Sequence, residues 1–94
     1  MPVVGLLSLE MHVSGSRSLK AKRTVVRSVK DRLRRLNVSV AEVDHHDLWQ
    51  RCRLEVAAVG ASQTDVERSL DAVYEDIERH DPGVIVASNV EWLK

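Results

Sequence analysis

Phenylalanine is absent from this chain, cysteine occurs once, and the formal net charge is zero. The lone Cys52 excludes an intramolecular disulfide and fits a reducing cytoplasm. Long apolar runs are also missing: the stretch that opens at Val3 is broken by Ser8 and Glu10, far short of a membrane span. With no basic-then-apolar leader ending in a small-residue cleavage site, neither export nor membrane insertion is expected. An apolar content of 44% beside 30% charged residues is a globular balance and excludes general disorder. Residues 1–94 are therefore read as one domain with a single core.

The zero net charge conceals segregation. From Arg17 to Arg35 there are nine bases and one acid, Asp31, giving +8, whereas the remainder holds five bases and thirteen acids, giving −8. Lys20, Arg23, Arg27, Lys30 and Arg34 are spaced 3, 4, 3, 4, so on a helix they form one narrow stripe. Like charges at those spacings repel by roughly 0.2–0.5 kcal/mol per pair, and four adjacent pairs give up ~1–2 kcal/mol. An acidic partner is the natural compensation.

Periodicity supplies the scaffold. From Val3 to Val13 odd positions are largely apolar against Ser8, Glu10 and His12, a strand with one buried face. Ser18 is a plausible N-cap for a helix whose apolar sector is Leu19, Val25, Val26, Val29, Leu33 and Leu36, ended by Asn37. Val38, Val40 and Val43 mark a second strand, and Asp44-His45-His46-Asp47 a polar connection. Cys52, Leu54, Val56 and Ala58 alternate with Arg51, Arg53 and Glu55 in a third strand closed by Gly60. Thr64 with Glu67 makes a capping box for a second helix with the seam Val66, Leu70, Val73 and Ile77. Asp81-Pro82-Gly83 breaks it before a last strand from Val84 to Leu93. The order is βαββαβ, an α+β, ferredoxin-like α/β plait: a four-stranded antiparallel sheet with two helices on one face. Right-handed crossovers put the first helix toward the strand 2 edge and the second toward the strand 4 edge. The basic stripe then faces outward at one side, and Glu67, Asp71, Glu75 and Glu78 face outward at the other.

The scarcity of aromatics now excludes one use of such a sheet. RNA-recognition motifs stack bases on aromatics of the two central strands, where this chain has Ser8, Glu10, His12, Arg51, Arg53 and Glu55. Trp49 sits only at the strand margin. Nucleic-acid binding would have to run through the helix and phosphate charge.

The turn Ser14-Gly15-Ser16-Arg17-Ser18 leads into a helix N-terminus, where free N–H groups favour an anion, and Arg17 and Lys20 add charge. A plain capped turn needs similar residues, and no P-loop or dinucleotide fingerprint is present. Lys22 falls by phase in the middle of the sheet-facing sector; its stem is expected to cross apolar surface and its ammonium to emerge at the end of the sheet, the sharper alternative being a partly buried lysine that faces that turn. Adjacent His45 and His46 lack metal-ligand spacing, so no metal is expected. Glu10 and Arg53 are placed to pair on the open sheet face.

Ser18-Leu19-Lys20-Ala21-Lys22-Arg23, then Asn37-Val38-Ser39-Val40-Ala41-Glu42 and Asp47-Leu48-Trp49-Gln50-Arg51, resemble the YlxP-like family of small bacterial proteins, long filed as a domain of unknown function. The opening Val-Gly-Leu-Leu strand and closing Glu91-Trp92-Leu93 extend the similarity over nearly the whole chain. The resemblance implies a ferredoxin-like plait. Genes of the family often lie beside those for transcription, translation-initiation and ribosome-maturation factors, which implies a ribosome or RNA partner. It supplies no catalytic residues.

The expected protein is a cytoplasmic, non-enzymatic factor that docks on structured RNA or a ribosomal particle. Lys20, Arg23, Arg27, Lys30 and Arg34 are its phosphate contacts, with Arg17 and Arg35 flanking. Two alternatives stand beside it. One is self-assembly, with opposed charge stripes pairing between copies of a homo-oligomer. The other is an enzyme or binder for a phosphorylated small molecule at Ser14, Gly15, Ser16, Ser18 and Lys22, by fold analogy with acylphosphatases. No cofactor or obligatory small molecule is expected.

Overall fold

The computed structural model describes residues 1–93. The elements are β1 (Val3–His12), α1 (Leu19–Leu33) with a 3₁₀ turn over Arg34–Leu36, β2 (Ser39–Asp44), β3 (Arg51–Gly60), α2 (Gln63–His80) and β4 (Ile85–Trp92). The four strands form one antiparallel sheet in the order β2-β3-β1-β4. This is the ferredoxin-like α+β plait expected from the periodicity.

Alternation along the central strands decides which face is covered. Leu7, Leu9 and Met11 of β1, Val13 just after it, and Cys52, Leu54, Val56 and Ala58 of β3 are buried beneath the helices. Val26, Val29 and Leu33 of α1 and Val66, Leu70, Val73 and Ile77 of α2 complete one core. Burying side chains of this size stabilises by roughly 1.5–3 kcal/mol each, and that is what holds the helices on the sheet.

Local signals set the helix ends. Ser18 is extended, and its hydroxyl accepts from Ala21 N at 3.1 Å, capping α1. Asn37 stops the following turn with φ 58°, a left-handed conformation that asparagine tolerates well. The second helix starts earlier than the Thr64–Glu67 box implies. Ser62 is the cap, accepting from Asp65 N at 3.2 Å, while Glu67 accepts instead from Gln63 Nε2 at 3.1 Å. Both serine and threonine satisfy the cap chemistry, and the first in the chain takes the position.

Helix α2 does not sit over the β4 edge. It packs on β1 and β3. A notch explains the shift: a Cβ on Gly5 would lie 2.8 Å from Val66 Cγ1, and one on Gly60 3.2 Å from Val66 Cγ2. Two glycines on neighbouring central strands let Val66 approach the sheet closely and draw α2 inward. The helix-side surface of β4 is left bare, and all of β4 except Ile85 is exposed. Helix α1 lies on the other flank, near β2. Among the described residues, no helix is long and apolar enough to cross a membrane.

Candidate nucleic-acid interface

Of the nine bases from Arg17 to Arg35, the fold turns two inward and leaves seven toward solvent. Arg32 reaches across to α2, with Nε 2.9 Å from Asp76 Oδ1 and Nη2 3.3 Å from Asp81 Oδ2. Lys22 is the second. The seven that remain are the residues singled out from their spacing: Arg17, Lys20, Arg23, Arg27, Arg34 and Arg35 are exposed and Lys30 is half-buried. Arg23, Arg27, Lys30 and Arg34 line a shallow groove of about 350 Å³, with Val26, Asp31 and Glu42 completing its walls. Among the described residues, Arg34 alone of the seven has an acidic partner, Asp31 Oδ1 at 3.1 Å, and both side chains are more than half exposed. Such a pair contributes about 0–1 kcal/mol and leaves the stripe strongly positive.

Lys22 corrects an expectation. Its ammonium neither emerges at the end of the sheet nor faces the Ser14–Ser18 turn: the residue is 1% exposed, with Nζ 3.1 Å from Glu42 Oε2 on β2. The same ammonium donates to the carbonyl oxygen of His45. The Glu42 approach is off the hydrogen-bond line, so Oε2, shielded from water, is held by charge and accepts no directed bond. The side chain therefore ties α1 to β2 and the β2–β3 connection. It leaves the proposed phosphate turn without one of its members.

The rest of that turn is also not gathered around an anion. Ser18 caps the helix, Ser16 is buried, and Ser14 Oγ lies 3.2 Å from His12 Nδ1. Gly15 takes φ 81°, which fits the tight turn. The depression at this end is lined by His12, Ser14, Val25, His80, Asp81 and neighbours, without Arg17 or Lys20.

Two further clusters were only partly legible. Glu10 on the open sheet face collects Arg53 Nη1 at 3.7 Å, as expected, but also Arg51 Nη2 at 3.4 Å and His45 Nε2 at 3.2 Å. His45 reaches it from a left-handed backbone, φ 65°, with its N–H bonded to Asp44 Oδ1 at 2.8 Å. His46 turns the other way, its Nε2 4.0 Å from Glu42 Oε1. Adjacent histidines thus serve opposite faces of the sheet.

Cys52 lies beside the buried Lys22–Glu42 pair. Burial first, and then the Glu42 carboxylate, push its thiol up from the ordinary 9.0 to about 12. The native thiol keeps its proton where the unfolded thiol has lost it, so unfolding releases a proton above pH 9.0. The Cys52 contribution is fully present below that pH and is lost as pH rises toward about 12, at about 1.4 kcal/mol per pH unit. Cys52→Val deletes it. Urea unfolding of the two proteins should give a constant difference below pH 9.0 and a narrowing or inverting one above it. Parallel curves would exclude the shifted thiol.

The fold and the site together define a class: a plait with a basic helical flank, an uncovered edge strand and an open sheet face without stacking aromatics. Residues 4–90 match the family described as "Protein of unknown function (DUF503)", and the chain belongs to that family. It is 30% identical over 92 residues to "Uncharacterized protein YlxP" of Bacillus subtilis (strain 168), an alignment covering 97% of this chain and 100% of that relative. Solved structures share the fold at low identity. "De novo designed protein Foldit4" matches with a TM-score of 0.60 and 12% identity over 100% of this chain and 98% of its own. A NIPSNAP family protein from Agrobacterium tumefaciens str. C58 matches with a TM-score of 0.53 and 13% identity over 100% and 92%.

Proposed function

We propose that this protein is a cytoplasmic, non-enzymatic factor that docks on the phosphate backbone of structured RNA, free or within a ribosomal particle. One observation carries the reading: Lys20, Arg23, Arg27, Lys30 and Arg34 line one outward flank, Arg17 and Arg35 flank them, and the one acid among them, Asp31, is exposed. From Lys20 to Arg34 the stripe runs about 21 Å at 1.5 Å per residue, enough to follow several phosphates. No aromatic lies in this groove, so bases are not stacked and sequence is not read. Docking would position the protein on backbone charge.

The test is titration of a structured RNA across a salt series. Five phosphate contacts give a log–log slope near −3.5 to −4.5, at roughly 0.7–0.9 per neutralised phosphate. Sedimentation with ribosomal particles at low and high salt extends the same test to the assembled partner. A slope near zero, or co-sedimentation indifferent to salt, would overturn the reading.

A further inference from the structure

The bare edge at β4 has the chemistry of a second docking surface, separate from the basic flank. Natural sheets blunt their edges with short strands, bulges, lysines or proline. The β2 edge follows this rule: it is six residues long, its register shifts between Glu42 and Asp44, and α1 lies over it. The β4 edge is blunted only at its start, where the register to β1 shifts around Val86. It is eight residues long, carries no Lys or Pro, and has Glu91 as its one charge.

Its backbone is set up for pairing. Leu93 N–H donates to Val4 O at 2.9 Å, so in the antiparallel alternation odd residues bond to β1. Ser88, Val90 and Trp92 therefore turn their N–H and C=O groups outward. Their side chains lie on the helix side of the sheet, and Val90 is 41% and Trp92 37% exposed because α2 sits over β1 and β3 instead.

Charge selects the occupant. The Arg32–Asp76 pair fixes which flank of α2 faces α1. By helical phase Glu67, Asp71 and Glu78 fall on the opposite flank, above the bare strip of β4. A second copy added through a two-fold axis at β4 would bring two such acidic flanks face to face, which like-charge repulsion opposes. We infer that β4 takes a basic, extended segment of another protein as a fifth strand. Backbone bonds would run to Ser88, Val90 and Trp92, and every second side chain of the added strand would lie on the helix side, a lysine or arginine whose methylenes rest on Val90 and Trp92 while its charge reaches the acidic flank of α2.

The experiment uses two blocked peptides, (Lys-Val)₄ and (Glu-Val)₄, added to the full chain and followed by fluorescence anisotropy and amide hydrogen exchange. Only the basic peptide should bind, and exchange should slow at Val90 and Trp92 but not along β2. Val90→Pro removes an outward N–H while sparing the β1 ladder, and should weaken binding about tenfold, as loss of a hydrogen bond flanked by buried strand implies. Glu67→Lys with Asp71→Lys, on the helix surface, should weaken the basic peptide and admit the acidic one; this arm holds even if the proline variant fails to fold. Equal binding of both peptides, protection on β2, or affinity unchanged in the charge-reversed protein would overturn the inference. So would a dimer seen by light scattering that Val90→Pro dissolves, since the edge would then belong to a second copy.

Discussion

Glu42→Leu is expected to destabilise the protein by about 3–5 kcal/mol, the cost of leaving a buried charge without its counter-ion. Lys22 is 1% exposed, and only the His45 carbonyl would remain to it. On a domain of this size that loss lowers Tm by on the order of 20 °C. Lys22→Met should cost less, about 2 kcal/mol, because the Glu42 side chain left behind is 16% exposed and retains some water. The double variant is the decisive one. Met and Leu together fill the space without charge, and replacing both members of a buried pair is typically neutral or stabilising. Urea unfolding of all four proteins therefore should show a double variant near wild type. Costs that simply add would mean the two side chains do not interact.

The second large effect is on binding and has the opposite sign on stability. Replacing Arg23, Arg27 and Arg34 with Gln should cut the salt slope to about −1.4 to −1.8 and weaken RNA affinity by on the order of 10²-fold near 0.1 M salt. The same change removes the like-charge neighbours along α1 and should stabilise the fold by up to ~1–2 kcal/mol. A variant that binds worse and unfolds later cannot be explained by damage. Arg32→Gln is the matched control: its guanidinium is held by Asp76 and Asp81, so it should lose stability and keep the slope. Unchanged affinity in the triple variant, or equal losses for Arg32→Gln, would remove the basic flank from the proposal.

Strand and helix order were legible because burial repeats every two residues in β1 and β3 and every three to four in both helices. The basic flank was legible for the same reason, since helical phase separates it from Val26, Val29 and Leu33. Phase gives a direction but not a partner, and there the reading of Lys22 failed. A signal was nonetheless present. At and just before β2, Val38 and Val40 pack on the core and Glu42 falls at the same parity, so two opposite charges occupied core-facing positions on successive elements. Only the register, with Glu42 opposite Leu54, places the carboxylate under α1. The position of α2 was out of reach for another reason: it depends on Gly5 and Gly60 forming one notch across two strands. Pattern along the chain does not show that juxtaposition.

The buried Lys22 also acts as a key in a keyway. Helix α1 rests on a short apolar strip, Val26, Val29 and Leu33, which by itself would tolerate small rotations or a slide along the sheet. Any such movement would drag the ammonium away from Glu42 and the His45 carbonyl into hydrocarbon. Arg23 is the next residue along the helix, so locking Lys22 fixes the azimuth of the whole cationic row. The Met–Leu double variant is accordingly expected to be as stable as the natural protein while pointing its charges less sharply. In this molecule the internal ion pair matters for aim more than for strength.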